Sequence, residues 1–271
     1  MCRFLAYHGA PIYLEEVVAS PSHSLIQQSR HAVESRTETN GDGFGIGWYG
    51  ERPRPGLYRE VHPAWSDENL LSICGQVRSH LFFAHVRAAT GTATMRANCH
   101  PFAAGKLLFM HNGQIGGFAA IRRRIEALIP DALYAARVGT TDTEALFLAA
   151  QARGLAEDPP RAIAETLGLV RAEMEAAGIG AALRFTAALT DGETIWAFRW
   201  ASDNAPPTLY FHQDETRVIV VSEPIDERRE EWRAVPPGSV LTAAHGKAAV
   251  LAPLAPLAPV HADRRRPTRR A

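Results

Sequence analysis

A chain of 271 residues, 46% hydrophobic and 21% charged, suits one large globular domain or two small ones. Its 29 basic and 29 acidic residues cancel, but residues 262–271 hold five Arg and one Asp, leaving a mildly acidic body that excludes a nucleic-acid footprint. Three widely spaced cysteines exclude a disulfide framework, and no apolar run reaches the ~18 residues of a membrane span. In chain order, residues 2–7 read as a short apolar strand and 9–11 as a turn. No basic segment followed by an apolar stretch opens the chain, so the expected location is cytoplasmic. Helical stretches follow at 14–19 and 23–32.

Residues 40–50 carry Gly at 41, 43, 45, 47 and 50. Glycine at every second position bares one face of a strand, so another backbone or a ligand can approach closely. The run is not GxGxxG before a helix, which excludes dinucleotide binding. Residues 51–56 read as a loop, 57–61 as a strand, and Ser66 as the N-cap of a helix to about 79. Apolar, β-prone stretches at 81–87 and 106–111 flank a long loop, 88–105, of a length that usually carries function. Helices are predicted over 118–128, 141–153 and 161–177, with Thr141 and Glu144 spaced as a capping box and Gly154 as a stop.

The period then changes. Stretches 185–189 and 194–200 flank Thr190-Asp191-Gly192-Glu193, a hairpin signal, and further strands read at 208–212, 217–222 and 239–243. Helices between two β-rich regions predict a single α+β domain with stacked sheets over residues 1–250, not a parallel βαβ array. Residues 251–271 read as a Pro-rich linker and a disordered, Arg-rich tail.

Four stretches carry candidate chemistry. The first is Cys2. A leading Met before a small residue is a substrate for aminopeptidase removal, which would leave an α-amine and a thiol on one residue. Such an amine titrates at about 7.7–8.0 and serves as a built-in general base for its own thiol. Within His85-Val86-Arg87-Ala88-Ala89-Thr90-Gly91, Arg87 suits a substrate α-carboxylate and Thr90 adds a hydroxyl; a lone strand-end Arg is usually just solvated or paired. His111-Asn112-Gly113 reads either as a hairpin turn or as an oxyanion hole of the Asn112 amide and the Gly113 N–H. In Thr141-Asp142-Thr143-Glu144, Asp142 is either a residue favoured by a helix start or a counter-ion for a substrate α-ammonium. His100, before Pro101, is a further candidate for the site, and Cys99 a rival nucleophile without a positioned base. No CxxC, HExxH or His/Cys cluster marks a metal, and no cofactor is expected. Taken together, the parts match a free α-amino acid whose side chain ends in an amide, such as glutamine or another γ-glutamyl compound.

With those residues in that order, the chain resembles the class II glutamine amidotransferases, which are N-terminal nucleophile hydrolases, over its body to about residue 250. The resemblance implies a four-layer αββα sandwich with Cys2 at the start of a central strand. It carries the nucleophile onto Cys2, the oxyanion pair onto Asn112 and Gly113, the carboxylate-binding Arg onto Arg87 and the ammonium-binding Asp onto Asp142. Synthase-linked members usually have Gly after the Cys and often Trp after the Arg; here stand Arg3 and Ala88. The opening Cys-Arg-Phe-Leu-Ala-Tyr and residues 21–25 and 40–49 are most similar to the stand-alone branch, which includes γ-glutamyl hydrolases of ergothioneine synthesis and glutathione breakdown. The implied partner is a small-molecule γ-glutamyl substrate. A separate acceptor subunit is implied if ammonia is passed on. A non-catalytic regulatory role is the remaining alternative.

Overall fold

The computed structural model describes residues 2–34, 39–89, 91–244 and 246–257. Its strands in chain order are β1 (Arg3–Tyr13), β2 (Phe44–Trp48), β3 (Gly56–Glu60), β4 (Arg78–Val86), β5 (Phe102–Ala104), β6 (Leu107–Ile115), β7 (Leu183–Thr190), β8 (Thr194–Ala201), β9 (Tyr210–Gln213), β10 (Arg217–Val221), β11 (Arg233–Ala234), β12 (Ser239–Ala244) and β13 (Val250–Pro253). The α-helices are α1 (Glu15–Val18), α2 (Leu25–Arg30), α3 (Glu68–Gln76), α4 (Phe118–Glu126), α5 (Asp131–Tyr134), α6 (Asp142–Gln151) and α7 (Pro159–Ala176). Among the described residues one sheet runs β11-β9-β10-β1-β4-β2-β3 and the other β13-β12-β8-β7-β6-β5.

The layering follows from period-two alternation along the strands. On β1, Phe4 and Ala6 face the second sheet, while Leu5 and Tyr7 face α1–α3. On β6, Leu108 and Met110 face the first sheet, while Leu107 and Phe109 face α4, α6 and α7. Three apolar cores result: helix on sheet, sheet on sheet, and sheet on helix. This is the αββα sandwich of the α+β class that the resemblance implied. Burying both faces of both sheets explains why β1 and β4 read as near-continuous apolar runs.

Several elements depart from expectation for identifiable reasons. The turn expected at residues 9–11 is instead a bulge, because β1 continues to Tyr13 with a register shift between His8 and Ile12. Asp67, not Ser66, caps α3, its carboxylate accepting from Leu70 N–H at 2.7 Å. Thr141 caps α6 as expected, accepting from Glu144 N–H at 3.1 Å, but Glu144 reaches past it to the N–H groups of Val138 and Gly139. Asn112-Gly113 is not a turn: both lie inside β6, opposite Thr186 and Phe185 of β7. The segment expected to begin a linker at residue 251 joins the domain, since β13 pairs with β12 and Leu254 is buried. The Arg-rich end lies outside the described residues.

The glycine-spaced strand shows what its bare face is for. A Cβ at Gly43 would meet Cys99 Sγ at 2.7 Å, one at Gly45 would land on the His100 carbonyl, and one at Gly47 would meet Pro101 at 2.9 Å. The face is covered by backbone and side chains of residues 99–101, not by a ligand. That packing seats the middle of the long loop against β2.

Candidate active site

Cys2 lies one residue before β1, whose first residue, Arg3, pairs with Val86. Even positions of β1 and of β6 face each other across the sheet–sheet core. The alternation therefore brings Cys2 and Asn112 together, and Asn112 Nδ2 donates to the Cys2 carbonyl at 2.8 Å. An amide nitrogen carries two hydrogens, so one remains for a second acceptor. Arg3 Nη1 donates to the same carbonyl at 3.3 Å.

The thiol sits against the end of β4. Ala88 N–H donates to Cys2 Sγ at 3.4 Å, and Sγ lies 3.6 Å from the Ala88 carbonyl. Burial pushes the thiol above its ordinary pKa, and the Ala88 hydrogen bond together with Arg87 and Arg3 offsets only part of that rise. A protonated thiol needs a base beside it before it can attack.

A cavity of about 300 Å³ opens at Cys2 and is lined by Arg87, Ala88, His100, Gly113 and Asp142 among others. Arg87 is 3% exposed. It donates to the carbonyls of Asp42 and Ala93 at 3.2 and 3.3 Å and to Thr92 Oγ1 at 2.7 Å, and among the described residues no carboxylate pairs with it. A buried guanidinium without a carboxylate is costly unless a ligand supplies one. Asp142 accepts from Ile115 N–H and Thr143 N–H, each at 2.8 Å, and no cation pairs with it among the described residues. One cavity thus presents a cation and an anion, each without its opposite.

Three buried histidines surround this floor. The rings of His85 and His100 lie 4.2 Å apart. Burial, then Arg87, holds His85 down at about 3; burial, then His85, holds His100 well below its ordinary value. His111 Nε2 lies 3.2 Å from the Arg184 carbonyl, which can only accept, so Nε2 carries the proton and Nδ1 accepts from the Thr143 hydroxyl at 2.9 Å. Burial lowers its pKa too, against Asp142 and the Arg184 carbonyl. All three rings are neutral and weakly basic near pH 7, which makes them poor general bases.

Beneath the site is a buried ion pair. Arg3 Nε lies 2.9 Å from Glu223 Oε2, both side chains fully buried. Glu223 also takes His23 Nε2 at 2.6 Å and the N–H groups of Val33 and Glu34 at 3.0 Å each. Burial alone would raise the Glu223 carboxyl, but His23, the Glu34 N–H, Arg3 and the Val33 N–H overcome it and hold it at about 2.

Of the residues singled out from sequence, Cys2, Arg87, His100, Gly113 and Asp142 meet at the cavity. Asn112 stands behind Cys2, and Thr90 lies outside the described residues. Cys99 is fully buried, with its Sγ directed at the Glu60 and Met95 carbonyls, so it is no rival nucleophile. Sequence reasoning missed the Ala88 backbone as the thiol's seat. It also missed Asp42, whose carboxylate accepts from Ala89 N–H at 2.8 Å and whose carbonyl holds Arg87. Alternation along residues 81–87 places His85 and Arg87 on the face of Leu81 and Phe83, a signal that could have drawn His85 into the site.

A family model described as class-II glutamine amidotransferases matches residues 14–204. The chain is 32% identical to the probable glutamine amidotransferase DUG3 of Saccharomyces cerevisiae, over 89% of this chain and 81% of that protein. It is 28% identical to the gamma-glutamyl-hercynylcysteine sulfoxide hydrolase of Mycolicibacterium smegmatis, over 87% of this chain and 92% of that one. A solved glutamine aminotransferase class-II domain protein from Silicibacter pomeroyi is 39% identical and superposes with a TM-score of 0.75 over 94% of this chain and 100% of that chain. The family model spans most of the chain, and the solved relative superposes over 94% of it. The chain belongs to the class II glutamine amidotransferases, enzymes of the N-terminal nucleophile hydrolase fold.

Proposed function

We propose that this enzyme hydrolyses the γ-amide bond of glutamine or of a γ-glutamyl compound through a thioester on Cys2. The observation that carries this reading is the pairing of charges in one cavity: Arg87 and Asp142, each without an opposite charge among the described residues, stand beside the Cys2 thiol. An α-carboxylate and an α-ammonium on one carbon answer both. With Met1 removed, the Cys2 α-amine takes the thiol proton. The sulfur then bonds to the γ-carbonyl carbon, with the second Asn112 Nδ2 hydrogen and the Gly113 N–H facing the developing oxyanion. The amine delivers its proton to the departing nitrogen as the C–N bond breaks. Water hydrolyses the thioester, releasing glutamate and restoring the thiol. The neutrality of His85, His100 and His111 supports the amine as the base.

A γ-glutamyl compound larger than glutamine is favoured by the cavity's extension to Gly117, Phe118 and Ala119 at the start of α4, which offers room beyond an ammonia leaving group. The names of the relatives support both substrates. Glutamine as the substrate would call for a separate subunit to accept ammonia. Three free cysteines suit a reducing, cytoplasmic location, and no helix among the described residues is long and apolar enough to cross a membrane.

The test is glutamate release from glutamine and from a panel of γ-glutamyl amides, peptides and thioether conjugates, with Cys2→Ala as control. The expected result is release from at least one compound and none by a Cys2→Ala protein that unfolds at the wild-type temperature. Equal release by Cys2→Ala would sink the assignment.

A further inference from the structure

The loop after β4 and the loop before α6 meet at one side chain. Asn98 is fully buried and lies outside the cavity lining. Its Nδ2 donates to the Ala93 carbonyl at 2.8 Å and to Thr140 Oγ1 at 3.0 Å, and its Oδ1 accepts from the Thr140 N–H at 2.8 Å. The Ala93 carbonyl is the group that also accepts from Arg87 Nη2 at 3.3 Å. On the other side, Thr140 precedes Thr141, which caps α6, and Asp142 follows as the first residue of that helix.

A continuous line of hydrogen bonds therefore runs from the cavity's cation, through the Ala93 carbonyl and Asn98, to the backbone that presents its anion. The line has little slack. A Cβ at Gly139 would stand 2.7 Å from Asn98 Oδ1, and Glu144 pins Val138 and Gly139 by their N–H groups at 2.9 and 2.8 Å. Among the described residues, Asn98 supplies the side-chain hydrogen bonds that tie the loop seating Arg87 to the segment before α6. Displacement of a binding group by about 1 Å is enough to cost two orders of magnitude.

We propose that Asn98 is a positioning residue that fixes the distance between the Arg87 guanidinium and the Asp142 carboxylate, and thereby makes the site selective for a ligand bearing both an α-carboxylate and an α-ammonium. The inference rests on the reading of the cavity given above. It concerns ligand discrimination, not the chemical step, because Asn98 touches neither the thiol nor the cavity.

The experiment measures binding of three small acids to the whole enzyme by calorimetry. Glutamate carries both head groups, glutarate lacks the amine, and 4-aminobutanoate lacks the α-carboxylate. The wild type is expected to bind glutamate at least tenfold more tightly than either analogue. In Asn98→Ala the glutamate Kd should rise about tenfold or more, the weight of one charge-assisted hydrogen bond, while the analogues change by less than threefold, so that the preference collapses. Thr140→Val, which removes only the hydroxyl contact, should move in the same direction by a smaller factor, and it decides the matter if Asn98→Ala does not unfold cooperatively. Unchanged glutamate preference in folded Asn98 or Thr140 variants, or an equal loss for all three acids, overturns the inference and leaves the functional reading standing. A wild type that binds glutarate as tightly as glutamate overturns the functional reading and the inference with it.

Discussion

Arg87 is the residue on which the ligand's identity turns. Its two terminal nitrogens are held by Asp42, Thr92 and Ala93, so the guanidinium plane is set before any ligand arrives. Lysine keeps the charge but loses the planar fork. Arg87→Lys is expected to raise KM for the active γ-glutamyl substrate about 10- to 100-fold, the worth of one charge-assisted hydrogen bond, with kcat changed less than threefold. Steady-state kinetics on that substrate check this, and a kcat loss at constant KM would mean that Arg87 acts on the transition state instead. The choice of Arg87 for this role was legible from residue type and its place after an apolar strand. What sequence alone could not reveal was the absence of a paired carboxylate among the described residues. Ion pairing is a property of what the fold brings near, and it separates a structural arginine from one awaiting a ligand.

At the level of elements, β2 and the loop 99–101 act as one piece. Each glycine of β2 is answered by an atom of that loop or of β6, and the loop delivers His100 to the cavity. Gly45→Ala should therefore push the His100 backbone off its seat. Overpacking of this kind costs about 1–3 kcal/mol, to be read as a lower urea midpoint at unchanged m-value, with activity falling alongside it. A Gly45→Ala protein of wild-type stability and activity would show that the loop has slack the geometry denies. The spacing of glycines announced a close approach, but the identity of what approaches lies 55 residues further on, from Gly45 to His100, and no local pattern encodes it. The same limit explains Asn112-Gly113. As a dipeptide it carries a strong turn signal, yet pairing with β7 on one side and the hydrogen bond to Cys2 on the other keep it inside a strand. Where a local preference loses to tertiary context at a short polar pair, a functional position is a reasonable place to look. Apart from the four-residue α5, which has no side-chain cap and was not read from the sequence, the helices, whose signals are local caps and 3.6-residue periods, were legible to within a few residues, as α6 with its Thr141 cap illustrates.

For the whole molecule, the buried titratable groups point the same way. His85, held at about 3, together with His100 and His111, stays neutral in the folded state, whereas each takes up a proton near 6.5 once unfolded. Unfolding below that pH therefore binds protons, so the stability these groups contribute is complete above about 6.5 and is lost as pH falls below it; for His85 the loss continues toward pH 3, at up to ~1.4 kcal/mol per pH unit. Glu223, held at about 2 against an ordinary 4.5, adds a loss of the same sign between those two values. Urea midpoints measured at pH 7.5, 6.5 and 5.5 should fall steeply over the lower interval and little over the upper one. A midpoint flat from 7.5 to 5.5 would contradict the neutral-histidine floor. The position of β1 has a consequence of another kind. It lies between β4 and β10, so the strand that begins beside Cys2 gains one neighbour when residue 86 has been made and the other only at residue 221. At a synthesis rate of about 5–20 residues per second, β1 waits on the order of 10–40 s for that second partner. Throughout that interval one edge of β1 stays unpaired, and the strand that begins beside Cys2 cannot take its central place in the sheet.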